Sequence, residues 1–254
     1  MIPFAVQAGL WGLLSGSALL IGAILGWFVP FSKRAVAMIM AFGAGVLISA
    51  LSFELMDEAW ENGGIIPVAI GFVAGATLFT LGNFALSRAG ASHRKSADLE
   101  KRDDAAEEPG GNSMALALGA LIDGIPEALV IGISLLRGGA IGYVAVAAVF
   151  LSNIPEGLSS AAGMRKEGKR AAYVFGLWGA IALASGISAF LGYALFDGAS
   201  PAVIAAVQAV AAGAILAMVI DTMAPEAFEG TKGYSGMIAV AGFLAAFALS
   251  KSAG

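Results

Sequence analysis

The chain has 254 residues, of which 59% are hydrophobic and 13% charged, and its formal net charge is -4. An ordinary soluble domain carries roughly 25% charged residues, so this composition excludes one and points to a polytopic membrane protein. The absence of cysteine excludes disulfides, thiolate metal sites and cysteine nucleophiles, and the absence of a basic patch with interleaved aromatics excludes nucleic acid as a partner.

Crossing a hydrocarbon core of roughly 30 Å takes about 20 apolar residues. Met1-Ile2-Pro3-Phe4 has no basic n-region, so the first apolar run reads as retained rather than cleaved. The predicted spans are 4 to 29, 34 to 56, 65 to 87, 113 to 136, 139 to 163, 171 to 196, 201 to 223 and 234 to 251. The fold class expected is therefore an all-α membrane protein of eight transmembrane helices. The 35 glycines, with abundant alanine, suit close helix packing in the lipid bilayer and a homodimer through small-residue faces.

Of the fourteen Lys and Arg residues, all but Arg137 and Lys251 fall after spans one, three, five and seven. The positive-inside rule then puts both termini outside. Residues 88 to 112, with five basic and six acidic side chains, read as a cytoplasmic loop. His93, the single histidine, lies in that loop as a solvated side chain.

Span two ends in Glu54, Asp57, Glu58 and Glu61, and span seven in Asp221, Glu226 and Glu229. The two spans align at an offset of 168, which brings Gly45 onto Gly213 and Glu58 onto Glu226. Since they run in opposite directions, the alignment predicts an inverted repeat in a 3+2+3 arrangement. Glu54, Asp57, Asp221 and Glu226 become candidates for guiding cations at the two mouths, while interfacial solvation accounts for Glu58, Glu61 and Glu229.

Spans four and five carry the chemistry. Ile122-Asp123-Gly124-Ile125-Pro126-Glu127 is followed 29 residues later by Leu151-Ser152-Asn153-Ile154-Pro155-Glu156. A carboxylate at the bilayer centre costs roughly 2.5 to 3.5 kcal/mol on insertion scales, so such residues mark polar paths and binding sites. Asp123 and Glu127 share one helix face, as do Ser152 and Glu156, and with Asn153 they offer five oxygen-bearing side chains. Each proline frees the carbonyl four residues earlier, Ile122 or Leu151. Two close carboxylates repel unless a cation sits between them, and a divalent cation as substrate resolves that conflict without any resident cofactor.

With these motifs the chain resembles the ZIP (Zrt- and Irt-like) family of divalent metal transporters, whose members typically carry His-Asn-x-Pro-Glu-Gly in span four and a related motif in span five. The resemblance implies metal transport by alternating access across a bacterial plasma membrane, with Asp123, Glu127, Ser152, Asn153 and Glu156 at the metal site. Asp123 replaces a typical histidine and Gly124 a typical asparagine. Zinc is the family default, whereas an all-oxygen shell suits manganese or iron(II), and one metal is the simpler expectation. Two other readings stand beside it. One is a non-transporting metal-sensing homologue; the other is an intramembrane acid/base enzyme, although the His-Glu-x-x-His signature is absent.

Overall fold

The computed structural model describes residues 2–86, 88, 111–137, 140–231 and 233–253. Most of the segment expected to form the cytoplasmic loop, including His93, lies outside the described residues. Among those described there are helices and turns but no strand: α1 (Phe4–Phe28), α2 (Lys33–Gly63), α3 (Ile65–Leu86), α4 (Gly111–Ser134), α5 (Ala140–Lys166), α6 (Ala171–Phe196), α7 (Pro201–Thr231) and α8 (Ser235–Ala253). Six of these, α1, α2, α3, α6, α7 and α8, are long and apolar enough to cross a membrane among the described residues. The protein is an integral membrane protein.

Many large apolar side chains point outward, while several charged and polar ones are buried within the apolar core. Ile66, Val73 and Leu78 on α3 and Met237 on α8 are exposed, while Glu54, Asp123, Glu127, Glu156 and Gln208 are buried. Lipid solvates the first set, and only the bundle interior can solvate the second.

α2 and α7 run well past the predicted ends at 56 and 223, because neither chain breaks at its acidic cluster. Each instead passes through a π turn, Leu51–Met56 in α2 and Val219–Met223 in α7, and resumes as α-helix. The π geometry leaves backbone groups displaced from the regular ladder. Hydroxyls serve the carbonyls there: Ser52 Oγ donates to Ile48 O at 2.7 Å and Thr222 Oγ to Met218 O at 2.6 Å.

The two π turns begin 168 residues apart, which is the offset of the sequence alignment. The same offset relates the N-caps, where Ser32 accepts from the Ala35 N-H at 3.1 Å and Ser200 from the Val203 N-H at 3.4 Å. It also relates two points of close helix approach. A Cβ on Gly45 would run into the carbonyl of Ala239 on α8, and one on Gly213 into the carbonyl of Phe72 on α3. α2 thus seats α8 as α7 seats α3.

Candidate metal centre

The two Pro-Glu motifs lie inside helices that run through their prolines, Pro126 in α4 and Pro155 in α5. Asp123, Glu127, Ser152, Asn153 and Glu156 are all at least nine-tenths buried. Glycine contacts hold the motif helices against their neighbours. Gly132 of α4 meets the Ala189 carbonyl of α6, and Gly157 of α5 meets the Leu19 carbonyl of α1. These two seats are 25 residues apart, whereas the Pro-Glu motifs are 29 apart. The motifs are therefore displaced by about one helical turn from matching packing positions.

The hydrogen bonds sort the polar residues further. Asn153 Nδ2 donates to Ser15 O on α1 at 3.2 Å, so its amide joins two helices in the manner of intramembrane polar contacts. Ser152 Oγ turns back onto its own helix and donates to Val149 O at 2.9 Å.

A small cavity lies where α2, α4, α5 and α7 meet. Its volume is about 20 Å³, and Glu54, Glu127, Leu51, Val130, Val149 and Ile215 are among its walls. That is room for roughly one water molecule. The cavity joins Glu127 to Glu54, a residue the sequence placed at the mouth of a path rather than at its centre. Glu156 is not among the walls. It lies on the same face of α5 as Val149, since seven residues make two turns, but roughly 10 Å further along the helix. α4 and α5 are joined by the short stretch 135–139, so they run antiparallel. Moving back one turn on α4 from Glu127 to Asp123 therefore approaches the level of Ser152 and Glu156. Among the described residues, no group of three Asp, Glu or His side chains comes together.

The remaining acidic candidates lie further out. Asp57 and Asp221 are exposed and Glu226 is half-buried, while Glu58, expected in the interface, is buried. Ser250, Lys251 and Asp57 are polar residues near Glu54. Sequence reasoning used Lys251 only as a topology marker. The signal it carried was that a lone cation ends span eight on the side where cations are scarce.

No family model matches the chain. The zinc transporter ZupT of Enterobacter sp. (strain 638) is 32% identical to it over 232 residues, covering 85% of this chain and 85% of that protein.

Proposed function

The chain belongs to the ZIP family of metal transporters, and from that premise we propose that it carries a divalent cation across a bacterial inner membrane by alternating access, with Glu127 and Glu54 holding the ion at mid-membrane. The observation that carries this reading is that Glu54 and Glu127 both line one small cavity, because two nearby carboxylates are stable together when a cation lies between them. Asp123 and Glu156, with Ser152 and Asn153, form a second station one to two turns away. The ion meets a shell of oxygen ligands a few at a time. Such a shell suits manganese or iron(II) as well as the zinc named for the Enterobacter relative.

The same reading takes the fold as an eight-span inverted repeat with both termini outside. The six long apolar helices and the two motif helices together would make eight spans, and the paired N-caps, glycine seats and π turns at one offset favour the repeat. Packing divides the helices into two bodies. α1 packs most extensively on α5 and α6, and α4 on α6; α3 packs on α7, and α8 on α2. Backbone-tight glycine seams lie within these bodies, as at Gly132 and Gly45. Between the bodies the nearest atoms to the glycines are side chains and the approach is less tight: Gly43 has Pro155 Cγ 3.2 Å from its Cβ position, and Gly82 has Ile122 Cδ1 at 3.3 Å. The body of α1, α4, α5 and α6 would slide on the body of α2, α3, α7 and α8. Glu127 would travel while Glu54 stays.

The test is uptake of manganese and zinc into proteoliposomes by the wild type, Glu127→Ala, Glu54→Gln and Glu156→Ala. Each variant is expected to lose at least tenfold in uptake, with Glu127→Ala the most severe. Unimpaired flux in Glu127→Ala would remove the proposed site. Calorimetric binding without flux in the wild type would instead identify a metal-sensing homologue.

A further inference from the structure

Beyond the cavity, toward the carboxy-terminal end of α2, that helix and α7 form a seam of small residues. The Cβ position of Gly63 lies 2.5 Å from Ala205 Cβ and 3.4 Å from Ala202 Cα, and one turn further in Ala59 is buried in one cluster with Ala205 and Ala209. The helices run antiparallel along this seam, so Gln208 comes level with the turn between Glu58 and Asn62. The carbonyls of Ala206 and Val210 meet Gly71 and Gly75 of α3, and Gln208 lies on the opposite side of α7 from both. That side also carries Ala212 and Ile215, which pack with Leu51 and Leu55 of α2. On α2 the line of Leu51 and Leu55 continues through Glu58 and Asn62, while Trp60 on the far side is exposed. Since Ile215, Leu51 and Leu55 are walls of the cavity, Gln208, Glu58 and Asn62 extend the same column by two turns, roughly 10 Å.

Neither Nε2 nor Oε1 of the buried Gln208 has a hydrogen-bond partner, and the Nδ2 of Asn62 is buried without one. Glu58 is buried as well. Leaving a buried amide without partners lowers stability, and packing does not account for it, because leucine would fill the same space. A ligand role does account for it: Asn and Gln carbonyls are ordinary ligands for hard divalent ions, and Glu58, one turn from Asn62 on the same face, supplies the charge. We propose that Gln208, Asn62 and Glu58 form an outer station for a divalent cation, met before the ion reaches Glu54 and Glu127. The inference rests on the proposed transport path, in which α2 ends outside, and adds a second binding site to it. One carboxylate with two neutral oxygens attracts a cation less than the two carboxylates beyond, so the station passes ions inward rather than trapping them.

The competing role for the two amides is to hold a buried structural water. Manganese uptake into proteoliposomes by Gln208→Leu and Asn62→Leu separates the two, one variant from each helix and both free of any new polar group. Each is expected to raise KM for manganese about tenfold and to change kcat less than about twofold, because a site passed on the way in contributes to capture and not to the step that follows. In a Glu127→Ala background, where the central site is disabled, manganese titration calorimetry of the full chain in detergent is expected to show a weak site. Adding Gln208→Leu should weaken that site about tenfold. Residual binding that ignores Gln208→Leu would overturn the station, and so would a wild-type KM in both leucine variants, which would assign the amides to a structural water. Loss of uptake in Glu127→Ala with a wild-type KM in the leucine variants defeats the station alone, whereas wild-type uptake in Glu127→Ala defeats the central site and the station with it.

Discussion

Gln208 is fully buried, and neither atom of its side-chain amide has a hydrogen-bond partner. It lies seven residues before Ile215, a wall of the cavity, and so on the same face of α7. An unsatisfied buried polar group costs about 1 to 3 kcal/mol. Gln208→Leu should therefore raise the thermal unfolding midpoint of the purified protein by several degrees; an unchanged or lower midpoint would mean that the amide is solvated by something the bundle admits. Asp123 yields a prediction about selectivity. Putting back the residue type common in the family, Asp123→His, supplies a nitrogen ligand that zinc prefers over manganese. Competition uptake should then shift toward zinc, and a ratio equal to wild type would separate Asp123 from the ion's path. The carboxylates themselves were legible in the sequence, since apolar runs make each of them conspicuous. Their partners were not: Asn153 meets Ser15 across 138 residues of chain, and the presence of Glu54 and Glu127 on one cavity depends on how four helices meet rather than on any local pattern.

At the scale of elements, glycine decides which helices are joined most tightly. Replacing Gly132 with Leu would drive a side chain into the backbone of α6, and replacing Gly45 would do the same against α8. Neither backbone can withdraw, so both variants should accumulate poorly and elute as aggregates in size-exclusion chromatography. Gly43→Ala is the contrasting case. Its new methyl would press on Pro155 Cγ at 3.2 Å, across the boundary between the bodies. A shift of a few tenths of an ångström relieves that contact, so the variant should fold normally and transport severalfold more slowly; a wild-type rate would place the sliding surface elsewhere. The 168-residue offset was readable in the sequence from a handful of glycine, alanine and glutamate matches. The π turns were not, because Leu51–Met56 and Val219–Met223 share no residue signature that distinguishes them from ordinary helix. They come to light only as an extra backbone residue at matching places.

For the whole molecule, the division into two bodies makes a prediction for which the cysteine-free chain is a ready background. Leu51 and Val149 both line the cavity, one from each body. A Leu51→Cys/Val149→Cys pair closed by a short crosslinker should stop flux, and reduction of a cleavable linker should restore it. Undiminished flux through the crosslinked protein would mean that the bodies do not slide. The cavity has a further consequence, which concerns the water that ions carry with them. A space for about one water molecule cannot take a divalent ion with its full hydration shell, so nearly all of that shell must be shed at the door. Magnesium accepts oxygen ligands readily but dehydrates reluctantly. It should therefore fail to compete with manganese even at large excess, excluded by the water it will not release.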